Sequence, residues 1–285
     1  MADFRLSPGY QFLLFTAKIN GGVGWASPMS IKHFVRRCLW RVGLDVRRFD
    51  PRSSEVSQLV RQLAVHQIDV VFDVGANIGQ FAKILRDARF TGRIVSFEPS
   101  IAAHSALSKH ARRDANWIIA PRMALGDHDG TTTLHLSGNS ASSSILPMLP
   151  SHMSAAPESR YIGSETVDLR TLDRVNTEFL TNTERVFLKL DVQGFEYKVL
   201  QGAEQFLRRV AGIQLELSLV PLYDGEHLFH SMLHDLEERG YEMWSLIPGL
   251  VDSGTGRLLQ LDAIFFRKEP ASVEGLVKKP ESSAV

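Results

Sequence analysis

Between residues 53 and 267 the chain alternates two patterns: short, almost wholly apolar runs rich in β-branched residues, and longer stretches whose apolar positions recur every three to four residues. The first pattern reads as buried strands, the second as amphipathic helices. Strands are predicted at 70–74 (VVFDV), 93–98 (RIVSFE), 116–120 (NWIIA), 186–192 (VFLKLDV) and 212–218 (GIQLELS), with a short strand or hairpin at 131–136 (TTTLHL). Helices are predicted at 53–67, 79–90, 100–113, 194–209 and 225–240, the first capped by Ser53 or Ser54. Two last strands, 241–247 (YEMWSLI) and 261–267 (LDAIFFR), follow each other with no helix between them. Strands without a polar face, separated by helices, belong to a sheet covered on both sides. The predicted class is α/β, with a Rossmann-like sheet that is mostly parallel and has an antiparallel C-terminal edge.

The flanks differ from this middle. Residues 1–54 carry Lys32, Arg36, Arg37, Arg41, Arg47 and Arg48 around Ile31, Phe34, Val35, Leu39 and Trp40. This N-terminal basic amphipathic extension reads either as a helix packed on the main domain or, over 30–48, as a contact with an anionic membrane or an acidic partner. From Glu269 to the end at 285 the chain has too little apolar material to fold, and a disordered tail is expected. The α/β domain is thus expected at 55–268. Over the whole chain the charges balance, 32 basic against 32 acidic residues, which disfavours a nucleic-acid partner. A lone Cys38 leaves no internal disulfide and no cysteine zinc site. The run YQFLLFTAKI is too short to span a bilayer and lacks the flanks of a signal peptide, so a cytoplasmic location, with peripheral membrane contact left open, is the expectation.

Chemistry enters at residues 70–81, VVFDVGANIGQF. A strand ending in Asp73 breaks into a turn with Gly75, Asn77 and Gly79 at the place where open α/β sheets bind ligands. The pattern D-x-G-x-N-x-G differs from the three-glycine fingerprint that cradles a dinucleotide pyrophosphate. A carboxylate suits a ligand with a positive amino group and a positive sulfonium, namely S-adenosylmethionine. Glu98 closes the next strand, where two carboxylate oxygens match the two hydroxyls of a ribose. Asp73, Gly75, Asn77, Gly79 and Glu98 are therefore the candidate cofactor-binding residues. Asn77 tolerates positive φ and can donate to a carboxylate.

The stretches FDVGANIGQF, VSFEPS, LKLDVQGFEYKVLQGA and LELSLVPLYDG together resemble the FkbM family of S-adenosylmethionine-dependent methyltransferases, over about residues 55–267. The resemblance implies a seven-stranded methyltransferase sheet and O-methylation of a hydroxyl on a sugar, glycolipid or related natural product. N- or C-methylation of another small molecule, and a cofactor-binding scaffold without turnover, stay open as alternatives.

Methyl transfer to an alcohol needs an aligned acceptor and an outlet for its proton. Asp191 and Glu216 end neighbouring predicted strands and are the candidate catalytic pair, through acceptor binding, proton removal or a shared Mg²⁺, the last not favoured for want of a third carboxylate beside them. The alternative is structural, with Asp191 capping the following helix. Tyr223 and Asp224, in the loop before the last helix, and His227 are the candidate substrate-binding residues for a glycan or other small acceptor. His227, His230 and His234 share a helical face, which reads as a half-buried face or a metal pair. Residues 137–165 are the least regular stretch inside the domain, expected as a lid or a mobile insertion.

Overall fold

The computed structural model describes residues 37–41, 43, 54–181 and 183–268. The chain divides into two units, Met1–Phe49 and Asp50–Val285. In the first, residues 37–41 are helical; the rest of the basic segment expected at 30–48, and the tail expected from 269, lie outside the described residues. No described helix is long and apolar enough to cross a membrane.

In the second unit the strands are β1 (Val70–Val74), β2 (Arg93–Phe97), β3 (Trp117–Ile119), β4 (Ala124–Leu125), β5 (Gly130–Ser137), β6 (Tyr161–Arg170), β7 (Val186–Leu190), β8 (Val210–Ser218), β9 (Tyr241–Pro248) and β10 (Gln260–Arg267). The main helices are α1 (Glu55–Val65), α2 (Gln80–Asp87), α3 (Ile101–Ala111), α4 (Pro150–Ala155), α5 (Leu172–Val175), α6 (Glu196–Gln201) and α7 (Phe229–Glu238). Seven strands form one sheet in the order β3-β2-β1-β7-β8-β10-β9. β1 pairs in parallel with both β2 and β7, whereas β10 runs antiparallel to β8 and to β9. The antiparallel C-terminal edge is thus present, and the order reverses between β1 and β7. That reversal is the topological switch point, where ligands of such sheets bind.

Alternation along each strand explains why both faces are covered. Val71 of β1, Ile94, Phe187, Ile264 and Phe266 pack against Leu59 and Leu63 of α1, Ala82 and Leu85 of α2 and Leu107 of α3. Val70, Phe72 and Val74 of the same strand face the opposite core with Leu188, Leu215, Val199, Phe206, Met232 and Leu236. Each fully buried side chain of this kind contributes roughly 1.5–3 kcal/mol. α1 begins at Ser54, whose hydroxyl accepts from the Ser57 amide at 3.4 Å.

Several elements differ from the pattern reading. Residues 131–136 belong to a second, three-stranded sheet, β4-β6-β5. The stretch 137–165 is not irregular throughout: it contains α4 and the start of β6, and Leu149 donates to the Leu222 carbonyl at 2.8 Å. The helix expected at 194–209 stops at Gln201: the Gly202 carbonyl accepts the Asp173 amide at 2.9 Å and the Asp173 carboxylate accepts the Gln205 and Phe206 amides, and a 3₁₀ turn at Phe206–Arg209 follows. The last helix starts at Phe229 rather than 225, since the Glu226 carboxylate holds the Leu222 and Tyr223 amides in a turn.

Candidate active site

Three strands of the sheet carry the same three-residue pattern of polar, apolar, acid, at the ends of β2 and β7 and level with them inside β8: Ser96-Phe97-Glu98, Lys189-Leu190-Asp191 and Gln214-Leu215-Glu216. β1 joins them with Asp73-Val74-Gly75, a glycine standing where the others carry the acid. The strands are in register, Ser96 beside Asp73, Asp73 beside Lys189 and Lys189 beside Gln214. Side chains two apart share a face. The sheet therefore carries one row of polar groups, and at its rim a row of acids notched at Gly75.

The notch is imposed by backbone. Gly75 has φ +77°, and a Cβ there would lie 1.8 Å from the Asp191 carbonyl oxygen. Only glycine lets the ends of β1 and β7 approach this closely. Asn77 follows at φ +48°. Its amide donates to Glu98 Oε2 and the Ser100 amide to Glu98 Oε1, both at 2.8 Å. Burial pushes the Glu98 carboxyl up to about 7, against the pull of these two amides. A cleft opens over the notch, lined by Gly75, Asn77, Glu98 and Asp191 among polar or turn residues and by Phe97, Met123, Leu125 and Leu134 among apolar ones.

Below the rim the polar row is wired across the sheet. Trp117 Nε1 donates to Ser96 Oγ at 2.9 Å, and that hydroxyl to Asp73 Oδ2 at 3.4 Å. Lys189 Nζ sits 3.4 Å from Asp73 Oδ1 and 3.1 Å from Asp191 Oδ2. Burial opposes the lysine charge, but the Asp191 and Asp73 carboxylates outweigh it and hold the ammonium pKa above its ordinary value. Asp73 has no exposed surface and its pKa is raised, chiefly by burial. It lies under the turn rather than in the cleft.

Asp191 and Glu216 are brought together by a residue that the pattern reading passed over. Gln193 Nε2 donates to Asp191 Oδ1 at 2.9 Å and to Glu216 Oε2 at 2.5 Å. Its Oε1 accepts the Tyr223 hydroxyl at 2.6 Å, and its carbonyl accepts Ser144 Oγ at 2.7 Å. Gln193 holds φ +56°, a backbone conformation that side chains seldom adopt without a surrounding structure to impose it. Burial, with repulsion from Asp191 and Glu196, raises Glu216 well above the usual carboxylate range. Glu196, buried at the start of α6, accepts the Val192 amide at 2.9 Å and is pushed by burial up to about 8.

The other candidates lie elsewhere. Gly79 supports α2 from beneath, against the Trp117 ring. Tyr223 is buried, 1% exposed, with its hydroxyl on Gln193. Asp224 is exposed beside it. His227 precedes α7, so it shares no helical face with His230; its ring stacks on Tyr197 at 3.7 Å. His234 pairs with Glu238 one turn along. Among the described residues no group of three or more His, Cys, Asp or Glu side chains is placed to hold a metal ion.

A parallel sheet reversed at one strand, with a glycine notch in a row of strand-end carboxylates over its switch point, defines an α/β protein of the Rossmann-like, seven-stranded class. The family described as the methyltransferase FkbM domain matches residues 73–243, more than half of the chain, and the chain belongs to that family. It is 28% identical over 165 residues to methyltransferase sdnD of Sordaria araneosa, covering 47% of this chain and 60% of that protein. The chain thus spans about 60% of the length of this relative. Among solved structures it is similar to a precorrin-6y C5,15-methyltransferase of Geobacter metallireducens, at 14% identity, TM-score 0.40 and coverage of 75% of this chain and 87% of that one. It is also similar to the magnesium protoporphyrin IX methyltransferase of Synechocystis with bound SAM, at 12% identity, TM-score 0.41 and coverage of 85% and 100%.

Proposed function

We propose that the protein is an S-adenosylmethionine-dependent O-methyltransferase acting on a hydroxyl of a sugar, a glycolipid or a related natural product. The observation that carries the reading is Glu98. A carboxylate has about four lone-pair sites, and the Asn77 and Ser100 amides use one on each oxygen. One remains on each for the two hydroxyls of a ribose. Phe97, Met123, Leu125 and Leu134, which line the same cleft, suit a flat base. These acceptors and the apolar lining therefore fit an adenosyl cofactor, and membership of a methyltransferase family agrees with it.

The bound cofactor supplies an electrophilic methyl group on sulfur. What remains for the protein is to align an acceptor oxygen and to remove its proton. Asp191 lines the cleft at the notch. Lys189 fixes one of its oxygens and Gln193 the other, so the carboxylate plane is set before the acceptor arrives. Asp191 accepts the acceptor hydroxyl and receives its proton. Glu216 does not line the cleft at the notch and acts through Gln193, as a positioning partner with a high proton affinity. Acids, serines and glutamine amides around the notch favour a polyhydroxylated acceptor, since each hydroxyl both donates and accepts. Titration calorimetry tests the cofactor reading: S-adenosylhomocysteine should bind in the micromolar range or tighter and NAD should not. NAD binding in preference to S-adenosylhomocysteine would sink it.

A further inference from the structure

If the strand-end acid Asp73 is sealed in an ion pair with Lys189, it is not where a cofactor ammonium group can rest. A second cleft lies beside the first, lined by Gln80, Phe81, Lys189, Gln214 and Asp262, and shares Gly75, Asn77, Ala141 and Asp191 with it. The two meet at the notch, so one elongated ligand can occupy both. Gln214 is 6% exposed, and its Oε1 has no hydrogen-bond partner among the described residues. Its side chain interacts with Asp262, which lines the same cleft. A buried acceptor left without a donor is costly, and a donor-bearing ligand relieves it.

Charge narrows the ligand. Asp191 and Asp262 line the cleft with Lys189, whose ammonium is already 3.1 Å from Asp191 and 3.4 Å from the buried Asp73, so the cleft favours a cation. At its other side α2 begins at Gly79 with no side chain capping it. The amides of a helix's first turn and its dipole favour an anion. A cation with several N–H donors beside an anion is an α-amino acid zwitterion, and a primary ammonium brings three donors.

We propose, resting on the cofactor reading above, that this second cleft holds the amino-acid end of the cofactor: its ammonium on Gln214 Oε1 and the Asp262 carboxylate, its carboxylate at the first turn of α2. Asp191 is then left to the acceptor.

The experiment compares two ligands on the full chain by calorimetry. S-adenosylhomocysteine carries the amino-acid end, and 5′-methylthioadenosine keeps the adenosyl part without it. Asp262→Asn and Gln214→Leu should each weaken S-adenosylhomocysteine roughly 10-fold or more, the size of a lost charged hydrogen bond. Each should leave 5′-methylthioadenosine within about twofold, because the Glu98 end is untouched. A thermal midpoint close to that of the unaltered protein confirms folding of each variant, and Gln214→Leu keeps the side-chain volume should Asp262→Asn fail that check. Unchanged S-adenosylhomocysteine affinity in a folded variant, or equal weakening of both ligands, overturns the proposal. If neither ligand binds the unaltered protein, the cofactor reading falls, and the proposal falls with it.

Discussion

Glu98→Gln is the sharpest perturbation of the cofactor end. Each Glu98 oxygen already accepts one backbone amide at 2.8 Å. Glutamine keeps one of these contacts and turns an NH₂ toward the other amide, so one buried donor is left facing a donor. Toward a ribose it keeps at most one acceptor and loses the charge. Hydrogen bonds to charged groups contribute about 1.5–3 kcal/mol and neutral ones about 0.5–1.5. Losing one charged bond and neutralising another gives a loss of about 3 kcal/mol, or roughly 150-fold in Kd. The pH dependence adds a second handle. Burial raises the Glu98 carboxyl to about 7, and its ionised form is the better acceptor, so affinity should rise as pH increases from 6 to 8. The same shift makes the free fold less favourable as pH rises from 4.5 toward 7, because the unfolded chain releases this proton first. The ligand of choice is 5′-methylthioadenosine, since it does not reach Asp262, whose carboxyl burial raises to about 6. Calorimetry at several pH values should give a rising affinity for the unaltered protein and a weak, flat one for Glu98→Gln. Equal affinities, or a flat profile with Glu98 present, would refute the role given to this carboxylate.

Two further substitutions separate chemistry from architecture. Asp191→Asn should lower kcat by roughly 10² or more while S-adenosylhomocysteine binding stays within about threefold, because the carboxylate serves the acceptor rather than the cofactor; full turnover by this variant would remove Asp191 from the chemistry. Gly202→Ala lies away from the notch, and its Cβ would press on the Gly126 carbonyl at 1.9 Å, so it should cost about 2–3 kcal/mol and lower the thermal midpoint by roughly 5–10 °C. An unchanged midpoint would contradict the need for glycine at this close approach.

Much of the sheet was legible because its strands are apolar on both faces, and that follows from helices on both sides of Val71 and Phe72. β6 was not, because its inward residues Val167 and Leu169 alternate with polar ones while Ile162 is 75% exposed, a pattern too broken to read. The break after Gln201 depends on Asp173, some 30 residues earlier, which no local signal carries. At the site, the rim acids Glu98, Asp191 and Glu216 could be found from strand ends. Lys189, Gln214 and Asp262 could not, since a lone polar residue inside an apolar run acquires meaning only from the register of neighbouring strands. The polar-apolar-acid pattern repeated in three strands was the one available signal, and it lies in the letters SFE, KLD and QLE. Gln193 escaped because its importance lies in a positive φ and three partners distant in sequence, Glu216, Tyr223 and Ser144.

The central claim is methyl transfer to a hydroxyl, and isotopic transfer tests it most directly. The protein would be incubated with S-adenosylmethionine carrying a labelled methyl group and a panel of neutral glycans, glycolipids and amino sugars, and the products read by mass spectrometry and NMR. The account predicts label in a methyl ether, formed by the unaltered protein and lost with Asp191→Asn. Label on nitrogen or carbon, or label on a hydroxyl that persists undiminished in Asp191→Asn, would contradict it.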